Sequence, residues 1–319
     1  DYLNWYGPLK DKTVGLLISR PSWVNNELEI EKALIKKLEN LGLSVVPVFA
    51  YSVKDEELGS RGMDEVIVDY FIENGRPIID CLVKLSPFFI ASSKTKKRDT
   101  SCAADGIEVL RELDVPVFQP VISHYMTVEQ WQESMGLSTE IGWSVALPEF
   151  EGGIEPIIIG AGKKEGNYLG RFPIEDRCSK LASRIMKWTE LRKKPVNQKK
   201  VAFILHNYPC SGVEGSVGGA ANLDSLESVA RILNRMQEAG YAVNPPEDGK
   251  ALIETILKKK AISEFRWTPI NEIVKNGGAL AFVEKEEYEK YFNTLSPKVR
   301  QRMIESWGNP PGEEINGIP

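Results

Sequence analysis

Only two imidazoles, His124 and His206, stand in 319 residues, so chemistry that needs several histidines cannot be assembled here. The four cysteines, Cys81, Cys102, Cys178 and Cys210, form no CxxC or other close pair, which removes a zinc site of ordinary ligand spacing. His206-Asn207-Tyr208-Pro209 follows the apolar run Val201–Leu205 and leads into a stretch with glycines at 212, 215, 218 and 219. In an open parallel sheet, ligands bind beyond the carboxyl ends of the strands, so side chains at 206–209 would face that crevice. Glycine lets the backbone approach a ligand closely or take positive φ. Asn222 or Asp224 then caps a helix whose N-terminus favours anionic groups. A phosphate cradle is the first chemistry this suggests. Against it, Gly219 is followed by Ala220 and Ala221 rather than Lys and Ser/Thr, and the dinucleotide-type glycine spacing also fails. What remains is an imidazole able to act as a base or metal ligand beside a glycine-rich loop. His124 follows the run 115–122 at an equivalent edge without such a loop, and reads more simply as a hydrogen-bonded histidine at a strand end.

The elements that would position these residues alternate. Lys12–Ile18 reads as a buried strand, apolar nearly throughout as parallel-sheet strands are. A helical pattern follows over 26–41, with Leu28, Leu34, Ile35 and Leu38 on one face and Gly42 as its C-terminal cap. Strands are expected at 44–49, 78–83 and 115–118, with helices over 63–74 and 103–113 between them. Trp143–Leu147 and Glu155–Gly160, separated by Glu151-Gly152-Gly153, read as a hairpin. A helix over 174–194 carries Cys178, Leu181, Ile185, Trp188 and Leu191 at helical spacing, and Pro195–Lys199 reads as a linker. The strand–loop–helix–Gly–strand pattern of 12–49 recurs at 199–245, longer between strand and helix by the glycine-rich loop. It uses a strand at 201–205, a helix over 224–239 and a strand at 241–243. The tail over 284–306 reads as one amphipathic helix with Tyr288, Tyr291 and Phe292 on its apolar side.

This pattern specifies an α/β fold: two doubly wound, Rossmann-like lobes with mostly parallel sheets and a small antiparallel excursion. Residues 1–145 form the first lobe, 146–198 a β-hairpin and connecting helix, and 199–319 the second lobe with the glycine-rich loop and a C-terminal helix. A net charge of −5 offers no basic field for a nucleic-acid backbone. No apolar run approaches the roughly 20 residues that span a bilayer. Scattered thiols fit a reducing compartment, with cytoplasm as the expected location. The run Lys94–Arg98 reads as a solvated loop tip.

Val201–Pro209, followed by Gly218-Gly219-Ala220-Ala221-Asn222-Leu223-Asp224-Ser225 and Glu227-Ser228-Val229, resembles the large subunit of aerobic-type cobaltochelatase, a relative of the magnesium-chelatase H subunit. Three further blocks carry the same resemblance in order. These are Val115-Pro116-Val117 with Leu147-Pro148-Glu149, Pro173-Ile174 with Asp176-Arg177, and Trp307-Gly308-Asn309-Pro310-Pro311-Gly312. Over the first 110 residues only the general α/β pattern agrees. Cys210 stands where that family usually repeats proline, and Asn222 where glycine is common.

The resemblance implies an internal or N-terminal-half piece of a much larger subunit that binds the tetrapyrrole. Separate AAA+-type ATPase subunits, with ATP and magnesium, would supply the energy. Cobalt is then a substrate ion inserted into a corrin ring, hydrogenobyrinic acid a,c-diamide, in cobalamin biosynthesis. No cofactor is expected on this chain, and the chain alone is expected to be inactive. Insertion needs a base for two pyrrole N–H protons and a ligand that helps the ion shed water, a task for which imidazole suits cobalt. His206 is the candidate base and transient cobalt ligand, and Glu149 a second catalytic carboxylate. Asn207, Tyr208, Gly218, Gly219, Asn222 and Asp224 are the candidate substrate-binding residues, Asp224 reading also as a helix-entry residue. The alternatives are a magnesium-chelatase H-type subunit for chlorophyll synthesis and a non-catalytic small-ligand module of the periplasmic-binding-protein type.

Overall fold

The structure, a computed structural model, describes residues 2–92, 100–137, 140–165, 168–206, 217–259 and 269–311. The run Lys94–Arg98 lies outside them. Two compact units divide at Lys194 and Pro195. Among the described residues no helix is long and apolar enough to cross a membrane.

In the first unit, α1 (Tyr2–Tyr6), β1 (Thr13–Ser19), α2 (Arg20–Val24), α3 (Glu29–Asn40) and β2 (Ser44–Ala50) open the chain. Next come α4 (Met63–Phe71), the two-residue strands β3 (Ile72–Glu73) and β4 (Arg76–Pro77), β5 (Cys81–Lys84), α5 (Thr100–Leu113) and β6 (Val117–Phe118). The main sheet has order β2-β1-β5-β6, and its ladders are all parallel. Chain order reverses between β1 and β5, which makes that pair the topological switch point.

Helices cover both faces, as parallel sheets require. Val14, Leu16 and Ile18 of β1 pack with Leu34 and Leu38 of α3 and with Cys178, Leu181 and Ile185. Leu17 joins Val46, Met63, Val66, Ile67 and Phe71 on the opposite side. Each fully buried leucine here contributes roughly 1.5–3 kcal/mol relative to exposure. The α/β class with a mostly parallel sheet is therefore as expected.

The antiparallel excursion exists but stands one element further along. β7 (Val121–Thr127), α6 (Val128–Glu133), a π-helical turn at Gly142–Ala146, α7 (Leu147–Phe150), β8 (Ile158–Glu165), β9 (Tyr168–Pro173) and α8 (Glu175–Lys193) complete the unit. β8 pairs parallel with β7 and antiparallel with β9. Trp143–Leu147 is thus not a strand. Pro148 sits in the first turn of α7, where its missing N–H costs nothing. Gly152, at φ 96, donates its N–H to Glu149 O at 3.0 Å, so the acidic-glycine signal ends a helix instead of turning a hairpin.

The second unit holds α9 (Ser225–Glu238), α10 (Gly249–Lys259), α11 (Ile270–Lys275), α12 (Lys285–Thr294) and α13 (Pro297–Trp307). The tail is two helices, not one, because Pro297 begins a new one. Val201–Leu205 and Tyr241–Val243 were expected as strands, yet neither joins a ladder among the described residues. Val201 is 53% and Ile204 95% exposed. A strand is defined by its hydrogen-bonded neighbour, and apolar composition does not supply one.

Candidate functional site

In the second unit the glycine-rich loop has a described stem. Gly218 donates its N–H to the carbonyl of His206 at 2.9 Å, closing the segment between them at its base. Asn207 and Tyr208, inside that segment, lie outside the described residues. Gly218 takes φ 73, and the position a Cβ would occupy falls 3.4 Å from Ser225 Cβ and 3.7 Å from Leu226 Cδ2. The stem therefore rests on the first turn of α9. Gly219 continues it, and Asn222 holds a left-handed φ of 56, a conformation asparagine tolerates better than most residues.

Asp224 is the N-cap of α9: its Oδ1 accepts the N–H of Glu227 at 3.0 Å. Its carboxylate thus satisfies a helix donor. Glu227 in turn accepts the Gly249 N–H at 2.9 Å and pairs with Arg231 at 2.9 Å. A Cβ on Gly249 would lie 2.6 Å from the Glu227 nitrogen, so α10 begins hard against the start of α9. Structure brings His206, Gly218, Gly219, Asn222 and Asp224 together around one loop stem and helix start. At this stem His206 is fixed by its main-chain carbonyl, and its side chain is exposed.

Glu149 belongs to the first unit, exposed on α7. His124 lies within β7 instead of beyond a strand end. Its Nδ1 stands 3.2 Å from Arg171 Nη1, and Arg171 pairs with Glu27 at 2.8 Å. Burial and then the Arg171 charge hold the His124 imidazole below its ordinary range, with Glu140 and Glu27 opposing. An arginine can only donate, so Nδ1 accepts and the ring is neutral. Among the described residues no three His, Cys, Asp or Glu side chains gather as a metal-binding group.

Sequence reasoning missed two buried residues of opposite charge at the switch point, Lys84 and Glu151. Lys84, the last residue of β5, is 1% exposed, and Glu151 is 5% exposed. Lys84 Nζ donates to Ser86 O at 2.8 Å and Phe88 O at 2.7 Å. Both Glu151 oxygens accept the Ile90 N–H, at 2.8 and 3.0 Å. Together they pin the loop that follows β5, where Phe88 has φ 71. Burial pushes the Glu151 carboxyl up and the Lys84 ammonium down, each opposed by the other's charge. A lysine closing the apolar run Cys81-Leu82-Val83 was the available signal.

Comparison with known proteins agrees with this architecture. A model of the CobN/Magnesium Chelatase family matches residues 1–318. An uncharacterized protein of Methanocaldococcus jannaschii is 45% identical over 308 residues, 96% of this chain and 25% of its own length. The magnesium-chelatase subunit ChlH of rice is 28% identical over 98% of this chain and 22% of its own. The aerobic cobaltochelatase subunit CobN of a Sinorhizobium species is 27% identical over 93% and 22%. The fold matches the catalytic subunit of cobaltochelatase from Mycobacterium tuberculosis at a TM-score of 0.69, 22% identity, 96% of this chain and 24% of that one. The chain thus spans about a quarter of the length of these relatives. The match of the family model over residues 1–318 makes this chain a member of the CobN/magnesium-chelatase family.

Proposed function

We propose that this chain is part of the tetrapyrrole-binding subunit of a metal chelatase, acting on a corrin with cobalt as the inserted ion. The observation that carries the reading is the loop stem, in which the Gly218 N–H closes on the His206 carbonyl over the start of α9. The backbone of His206, the second unit's single histidine, thus stands at the stem of the glycine-rich loop, which supports its candidacy. His206 would take a pyrrole proton and hand it to solvent, or hold the ion while water leaves its shell. Imidazole favours cobalt over magnesium as a ligand, which supports the cobalt branch over the chlorophyll branch. Asn207, Tyr208 and the backbone of Gly218 and Gly219 would hold ring substituents. Glu149 is the candidate second carboxylate. AAA+-type partner subunits would hydrolyse ATP with magnesium, and this chain alone would not turn over.

The test is His206→Ala in the full-length subunit with its partner ATPases, reading cobalt insertion and tetrapyrrole binding separately. Insertion is expected to fall by about 10²–10⁴-fold, the span of a lost acid–base group, with binding retained. Unimpaired insertion would remove His206 from the mechanism. Running magnesium in parallel decides the metal, since faster insertion of magnesium would assign the other branch.

A further inference from the structure

The first unit contains a cleft of about 570 Å³ between β2 and α4, within the size range of small-molecule sites. Val46 and Val48 of the strand and Val66 and Tyr70 of the helix wall it, with Ile78 at one end and Tyr51 at the other. Because β2 is parallel to β1 and followed by α4, Tyr51 and the start of α4 stand at the carboxyl edge of the sheet. That edge is where open α/β folds bind ligands.

Two arginines border the cleft there. Arg61 is already paired with Asp69 at 2.5 Å. Arg20, the first residue after β1, instead stacks over the Tyr51 ring, its guanidinium carbon 4.4 Å from the centroid. Among the described residues Arg20 has no carboxylate partner within ion-pair distance. An arginine oriented by stacking at the mouth of an apolar slot is an anchor for a carboxylate.

The rim of β2 argues against an added peptide strand as the occupant. The outward N–H of Val45 donates to Tyr6 Oη at 3.1 Å, and its carbonyl accepts from Tyr2 Oη at 2.9 Å. Outward positions alternate, so Pro47 is next, and it has no N–H to offer. Little of this edge is left to pair with another chain.

We propose that this cleft binds a flat, largely apolar molecule bearing a carboxylate at one edge, with Arg20 as the anchor. The choice of a tetrapyrrole as that molecule rests on the chelatase reading. The cleft is built by residues of the first unit alone.

The test titrates the full-length protein with deuteroporphyrin IX, which carries two carboxylates, and with its dimethyl ester, followed by porphyrin fluorescence. Arg20→Gln is expected to weaken the dicarboxylate by about 10-fold or more, the loss of a charge-assisted contact, and to leave the ester unchanged. Tyr70→Ala is expected to weaken both several-fold, and Val48→Trp, which fills the slot, to abolish both. If circular dichroism shows Val48→Trp misfolded, Arg20→Gln and Tyr70→Ala decide, since both alter partly exposed side chains. Unchanged affinities in all three variants, with cobalt insertion still lost in His206→Ala, would overturn the cleft and leave the chelatase reading standing. A wild-type protein that binds neither porphyrin would overturn both.

Discussion

Neutralising Glu151 tests whether the loop after β5 is held by a buried charge pair. In Glu151→Gln the volume is kept and one oxygen can still accept the Ile90 N–H, now at 2.8–3.0 Å from the carboxylate. What disappears is the only charge opposing the burial of Lys84. Because burial outweighs the attraction of Lys84 and raises the Glu151 carboxyl, relief of that burial should offset the lost attraction and hold the net cost near neutral pH to about 1 kcal/mol or less. Lys84→Met should cost more, since Ser86 O and Phe88 O lose their donor at about 1–3 kcal/mol per orphaned group. The double variant Lys84→Met/Glu151→Leu should cost less than the two singles together by about 2 kcal/mol or more, as no charge remains buried. Urea unfolding followed by circular dichroism, with a shift in midpoint at constant slope, reads these values. A loss of about 3 kcal/mol or more in Glu151→Gln, or singles that add within about 0.5 kcal/mol, would refute this reading.

The same pair sets a pH dependence. Burial raises the Glu151 carboxyl from 4.5 to about 7, so its contribution to stability is full below 4.5 and is lost as pH rises to about 7. Burial lowers Lys84 from 10.5 to about 8, so its contribution is full above 10.5 and is lost as pH falls through about 8. Stability should therefore pass through a trough between about 7 and 8, and thermal melts of the Lys84→Met/Glu151→Leu variant should show that trough flattened. Gly106→Ala places a methyl group against Glu151 Oε1; a gain of about 1 kcal/mol from helix propensity should be reversed to a loss of about 1–3 kcal/mol, measured by urea unfolding. Asp224→Ala removes the cap on Glu227 and should cost about 1 kcal/mol, with Asp224→Asn restoring most of it.

Residue pattern alone determined much of the first unit. The continuous apolar run of β1, the period of Leu34 and Leu38 and the glycine after α3 each follow from local rules, and each matches the structure. The capping role of Asp224 was legible for the same reason, because a cap is a contact with a residue three places on. Family membership was legible through the spaced blocks around His206, Pro173 and Trp307. Other features required the tertiary structure. Whether Val201–Leu205 is a strand depends on a neighbour, and the apolar letters are the same with or without one. The turn at Gly152 ends a helix because Pro148 starts one, a choice that packing makes between two local signals. Lys84 and Glu151 are 67 positions apart only as letters; the parallel sheet and the return of α7 bury both at one loop. Arg20 and Tyr51 likewise meet because β1 and β2 end side by side. Local elements are set by short-range periodicity and capping, whereas burial, charge pairing and clefts arise when distant segments share one edge.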